Sequence, residues 1–394
     1  MRRRIGLFAL ILLTGGPSLA QSATLPPPGM SAAQTRTRLA VAIEKKDTPE
    51  VVAAAQLLAL MGAGLAEASQ ATLAPFLSAE QQQDLRDRFA GNVQPIAASS
   101  IFAQVPVEHR LVEGIAHDPR TGRLFVGTVV DGELLVGGGL GWRAIQLPKG
   151  LGGLFGMRVD AARRRLWIAN GTADPVRDKS SITPGLLEID LDTLAVVDHK
   201  AMPAGAQGSP GDIAIGDDGT VYASDGLRGG IYRCKPGCLV LEQLVAPGRL
   251  RSPQGMVVSR DGTELIVADY AGGLARINLA GGEIAWMDVR DAAMLDGIDG
   301  LMRHEDGLVG IQNGTSPRRI VRLVLSEDEA RVDAVEVIER ANPTWGEPTL
   351  GTIADAKLIY VADGQWEVYG SGGVLNPDQQ PRATALRAVA LPLR

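Results

Sequence analysis

Residues 254–270 read QGMVVSRDGTELIVADY: an amide and a glycine, a short apolar run, an Asp-Gly turn, and a second apolar run ending at Asp269. Two apolar segments separated by Arg260-Asp261-Gly262 predict a β-hairpin closed by a tight turn. The unit recurs as EGIAHDPRTGRLFVGT from Glu113, FGMRVDAARRRLWIANG from Phe155, GDIAIGDDGTVYASDG from Gly211 and DGLMRHEDGLVGIQNG from Asp299. A sixth copy, LGTIADAKLIYVADG from Leu350, shares the ending. Successive units start about 40–56 residues apart, the spacing of four-stranded propeller blades. Further strands fill the gaps, as in GLLEIDLDTLAVVDHKAM and GLARINLAGGEIAWMDV. A sandwich would lack the recurring unit, and a helical solenoid would need amphipathic helices here. The expected fold is therefore mainly β, a six-bladed β-propeller over 107–394. The segment before Glu113 is expected to pair with ALRAVALPLR and close the ring, leaving no open edge.

Upstream of the repeats the texture is different. Residues 31–100 are rich in Ala, Leu, Gln and Glu and predict a small helical module. Thr48-Pro49-Glu50 opens a helix as cap and first-turn proline. The run VVAAAQLLALMGAGLAEASQATL, interrupted by Gln56, Glu67 and Gln70, reads as a buried bundle helix rather than a membrane span. Ser78-Ala79-Glu80-Gln81 has the pattern of a capping box for another helix. Residues 21–30 form a Pro-rich linker with Pro26, Pro27 and Pro28. Residues 1–20 combine Arg2-Arg3-Arg4, an apolar run from Ile5 to Leu13 and Ser18-Leu19-Ala20, the pattern of a cleaved signal peptide. The expectation is a periplasmic or secreted protein without an integral membrane segment in its mature chain.

Composition narrows the function classes. The 394-residue chain carries a net charge of −6, so a general nucleic-acid binder is disfavoured for want of surplus Lys and Arg. Its 48 glycines exceed the usual ~7% and call for many turns. Two cysteines cannot build a disulfide framework or a four-thiolate zinc site. Cys234 and Cys238 flank Lys235-Pro236-Gly237 at the ends of a turn, and an oxidising compartment would join them as a local disulfide. No Gly-x-Ser-x-Gly elbow or phosphate-cradling loop is present. Arg163-Arg164-Arg165 reads as a solvated turn.

In a propeller, residues at one repeat position converge on the channel although they are far apart in sequence. The entry position of the first strand carries Glu113, Phe155, Gly211 with Asp212, Gln254, Asp299 and Leu350, with Glu347 just before the last. Three carboxylates and an amide carbonyl around one axis suit Ca²⁺ or Mg²⁺, and Zn²⁺ or Mn²⁺ less well. For any one acid alone, a turn cap or ion-pair partner is the alternative. None of the four histidines falls in this register. A second tier, Asn170, Asp225, Asp269, Asn313 and Asp363, ends the second strands, where Asx residues commonly cap turns. Trp142, Phe155, Trp345 and Trp366 are candidates for the mouth or for the core.

These entry residues resemble the senescence marker protein/gluconolactonase/luciferin-regenerating-enzyme family of six-bladed propellers. Val112-Glu113-Gly114 matches that family's first-repeat metal-binding Glu, and Ile298-Asp299-Gly300 its late Asp. Ser252-Pro253-Gln254-Gly255 has Gln where the family has Asn. Pro210-Gly211-Asp212 has Gly where a ligand Asn would stand. The resemblance implies metal-assisted hydrolysis of a lactone or similar ester, a small-molecule substrate. Glu113, Gln254 and Asp299 would act toward the metal, Asp299 or Asp212 as catalytic base, and Asn170, Glu347 and Trp345 as lining. The other expectation is a non-enzymatic binding propeller whose helical module docks a protein partner.

Overall fold

The computed structural model describes residues 30–138 and 141–392. The signal-peptide reading and all but the last residue of the Pro-rich linker lie outside them. Among the described residues the strands form six sheets. Blade 1 comprises Val112–His117, Leu124–Thr128, Leu134–Gly138 and Gly141–Ile145. Blades 2, 3 and 4 begin with inner strands Gly153–Asp160, Ile213–Ile215 and Pro253–Val258. Blade 5 begins with Ile298–His304 and gains a fifth strand, Asp288–Val289, parallel to Arg331–Arg340. Blade 6 begins with Gly351–Ala354. Its outermost strand is Ser100–Val105, paired antiparallel with Thr384–Ala390. The predicted closure is thus present, and the propeller starts before residue 107. Each inner strand contacts the next, and that of blade 6 contacts that of blade 1, so the ring is complete.

The turn motifs behave as their chemistry dictates. Asp218 and Asp261 carboxylates accept from the Thr220 and Thr263 amides, closing the hairpins that follow Asp217 and Arg260. The arginine run is more than a solvated turn. Arg164 makes a paired contact to Asp118 of blade 1 at 2.7 and 2.8 Å, and Arg165 bonds Glu188 and Asp190. The Asp118 side chain has no solvent exposure, and the Arg164 hydrogen bonds hold its carboxyl well below the usual range. The predicted Cys234–Cys238 disulfide is present.

The N-terminal residues form four helices: α1 (Ala32–Lys45), α2 (Thr48–Leu60), α3 (Glu67–Leu73) and α4 (Ala79–Asn92). Asp47, not Thr48, caps α2. The long Ala-rich run is not one helix: it breaks after Leu60, where Gly62 adopts φ +83° and Gly64 N donates to the Ser316 carbonyl of blade 5. The capping box at Ser78 and Gln81 forms, and its helix runs on to Asn92. No helix of the described residues is long and apolar enough to cross a membrane.

The module packs on the loop between blades 4 and 5. Met294 joins the helical core, and Asp296 caps α1, accepting from Ser31 Oγ and from the amides of Ala32 and Ala33. Gln312 and Arg319 donate to the Met294 carbonyl from blade 5. The segment that leads into Asp299 is therefore clamped from both sides.

Candidate active site at the channel mouth

Four blades share one irregularity. The inner-strand register slips between Val112 and Ile115, between Leu154 and Met157, between Pro253 and Met256, and between Ile298 and Gly300. These β-bulges hold Glu113, Phe155, Gln254 and Asp299, and a bulge re-aims the side chain it carries. The glycine that follows permits close approach of blades. A Cβ on Gly114 would strike the Phe155 carbonyl, one on Gly156 the Asp212 carboxylate, and one on Gly255 the Leu301 amide.

Glu113 is 6% exposed, and its Oε2 accepts from Trp366 Nε1 at 3.0 Å. The Thr349 hydroxyl lies beside it without completing a hydrogen bond of normal geometry. Burial, followed by the charge of Asp299, raises the Glu113 carboxyl well above its ordinary value. Asp299 is likewise raised by burial, with Asp212 and Glu347 adding to the effect, up to about 7. What opposes the rise is a hydrogen bond from Asn313 Nδ2 to Asp299 Oδ2 at 2.8 Å. Tyr270 OH in turn donates to Asn313 Oδ1 at 2.8 Å. Glu347 is raised by burial too, and the nearby Arg318 guanidinium moderates it. Asp299 and Glu347 thus act on Glu113, and Asp212 and Glu347 on Asp299, so these carboxylates lie within electrostatic reach of one another.

The remaining sequence candidates divide. Gln254 holds the bulge position and commits its amide nitrogen to Ser252 Oγ at 3.1 Å. Asp212 is 2% exposed, with Oδ1 accepting from the Ile213 amide and Oδ2 lacking a hydrogen bond, 3.6 Å from Arg158 Nη2. Asn170 is fully buried and engaged by the Gly152 amide and the Thr183 carbonyl, so it ties the segments before two strands of blade 2 together. Trp345 donates to Tyr360 OH and packs edge-on against that ring. Phe155 and Trp366 run nearly parallel, their centroids 6.5 Å apart, and give the Glu113 side of the mouth an apolar wall.

Asn313, Tyr270 and Arg158 do not stand out as site residues in the sequence. Asn313 is the exception in a tier where Asp225 and Asp269 do cap loops, accepting from Arg228 N and from Arg251 N. Its amide nitrogen instead reaches back to the bulge of its own blade, a role the sequence does not mark, since Asn170 carries the same amide and does not share it.

Among the described residues no three His, Cys, Asp or Glu side chains are arranged to hold a metal ion. A cation here would rest on Glu113, Asp299 and neutral oxygens such as that of Gln254. A buried and a half-buried carboxylate beside an amide oxygen, with no nitrogen or sulfur ligand among them, make the kind of donor set a hard divalent ion takes.

No family model and no curated protein matches the chain. Solved structures do. A structure assigned as a putative gluconolactonase has a TM-score of 0.50 at 14% identity, over 76% of this chain and 93% of that one. A gluconolactonase from Xanthomonas campestris gives 0.48 at 15%, over 76% and 98%. The PQQ-bound aldose sugar dehydrogenase from Streptomyces coelicolor gives 0.49 at 16%, over 75% and 99%. At this identity the likeness to the first of these shows the architecture alone, a β-propeller.

Proposed function

We propose that this protein is an exported lactonase-type hydrolase whose active site is the mouth formed by Glu113, Asp299, Gln254 and Glu347. The observation that carries the reading is the placement of Glu113 and Asp299 on equivalent bulges, with Asp299 poised near neutral pH. Asp299 takes the proton from water as it adds to the ester carbonyl, its Oδ2 held by Asn313 and its Oδ1 left to accept. The collapse of the adduct breaks the ring C–O bond, and the proton returns to the leaving alkoxide. Trp366 holds Glu113 in place, and the Phe155–Trp366 wall excludes water from that side. A divalent ion, Ca²⁺ before Mg²⁺, Zn²⁺ or Mn²⁺, would be held by Glu113, Asp299 and Gln254 and would supply Lewis-acid polarisation of the carbonyl. The N-terminal residues 1–20 and the Cys234–Cys238 disulfide support export.

The test is hydrolysis of a panel of five- and six-membered lactones, with Ca²⁺, Mn²⁺ or chelator, by the native protein and by Glu113→Gln. Turnover lost in Glu113→Gln supports the reading. No turnover under any condition identifies a binding propeller instead, with the helical module as its docking element.

A further inference from the structure

Two residues break the repeat pattern of the inner strands, and they meet each other. After the entry residue, five blades have glycine: Gly114, Gly156, Gly255, Gly300 and Gly351. Blade 3 has Asp212. Two positions further on, Ala116, Ala214, Val257, Met302 and Ile353 are small or apolar, whereas blade 2 has Arg158. Arg158 Nη2 lies 3.6 Å from Asp212 Oδ2 and donates at 3.2 Å to the Leu301 carbonyl, while Nη1 donates to the Met157 carbonyl at 3.0 Å. Blades 2 and 5 are opposite one another in the ring of six. A hydrogen bond from Arg158 to Leu301 therefore crosses the channel axis.

The guanidinium also lines a cavity of about 600 Å³ with Val257, Ser259 and Arg303, beyond the inner strands. Arg158 thus reaches across the channel beside that cavity. Asp212, whose charge is felt by Asp299 above, is drawn to the guanidinium below.

We infer that Arg158 is a tethered cation on the channel axis that sequesters Asp212 and holds the mouth's affinity for divalent ions low, so that the site exchanges its ion instead of retaining it. The inference rests on the mouth being a cation site, the reading given under the proposed function. A fixed positive charge disfavours a second cation nearby, and a carboxylate committed to it is withdrawn as a ligand. Both effects act in the same direction. The residues that stand at the Arg158 position in the other blades carry neither.

The experiment is calorimetric titration of Ca²⁺ and Mn²⁺, without substrate, into the native protein, Arg158→Ala, Arg158→Lys, Asp212→Gly and the double variant Arg158→Ala/Asp212→Gly. Melting curves accompany each titration to establish that the propeller is folded. Arg158→Ala is expected to bind Mn²⁺ about tenfold or more tightly than native, and Arg158→Lys within about threefold of it, because the charge is kept. If Arg158→Ala fails to fold with its buried Asp212 unpaired, the comparison of Asp212→Gly with the double variant reads the same charge. The double variant should then bind more tightly than Asp212→Gly. Equal affinity in both comparisons, no ion binding in any variant, or Arg158→Lys matching Arg158→Ala would overturn the inference. Absence of lactone turnover would overturn the hydrolase reading alone, since calorimetry does not depend on it.

Discussion

Asn313 Nδ2 donates to Asp299 Oδ2 at 2.8 Å across the first hairpin of blade 5, and Tyr270 OH holds the other end of that amide. A donor to a carboxylate favours its ionised form, so Asn313 keeps Asp299 from rising further than about 7. Asn313→Leu removes the donor and leaves the burial. The acidic limb of the pH profile of kcat/KM should then move upward by about one pH unit, with kcat falling at pH 7 and partly recovering at pH 9. An unmoved limb would separate Asn313 from the chemistry.

Stability should respond to pH in a sense opposite to that of most surface carboxylates. Glu113 and Asp299 are raised in the folded protein, so between the ordinary value of about 4 and their folded values the native state binds more protons than the unfolded chain. Their contribution is full below pH 4 and is lost as pH rises, through about 7 for Asp299. A divalent ion restores charge balance only after the protons leave. Addition of Ca²⁺ should therefore raise Tm by on the order of 5 °C at pH 8 and by much less at pH 5. Scanning calorimetry at the two pH values checks this, and an equal shift at both would contradict it.

The architecture was legible because the repeat is written in short-range chemistry: an Asp-Gly turn between two apolar runs fixes each hairpin wherever it occurs. The entry residues followed from register, and Glu113, Gln254 and Asp299 all occupy the predicted position. Three features were not legible. A bulge leaves no mark in one strand alone, since it is a property of two strands in register. The Arg158–Asp212 contact joins blades, and each residue looks like an ordinary substitution until the two are seen together. The break of the Ala-rich run after Leu60 reflects packing of Gly64 against Val93 and Ser316, a tertiary demand that helix propensity does not contain.

Glycines of the two halves should answer differently to the same substitution. Gly114→Ala would put a methyl into the Phe155 carbonyl where blades 1 and 2 meet, and overpacking of that kind costs about 3 kcal/mol. Gly91 sits in α4, where an added Cβ would meet only open space, so Gly91→Ala should stabilise by about 0.7 kcal/mol. Urea unfolding of the two variants checks both signs.

The proposed chemistry depends above all on Asp299 as the group that moves the proton. The measurement is kcat of Asp299→Asn on the best lactone of the panel, taken with its melting temperature. The expected result is a fall of about 10³-fold together with an unchanged or higher Tm, because a neutral amide relieves a half-buried charge. A kcat within about threefold of the native value in a folded Asp299→Asn protein would contradict it, since a lost general base costs far more.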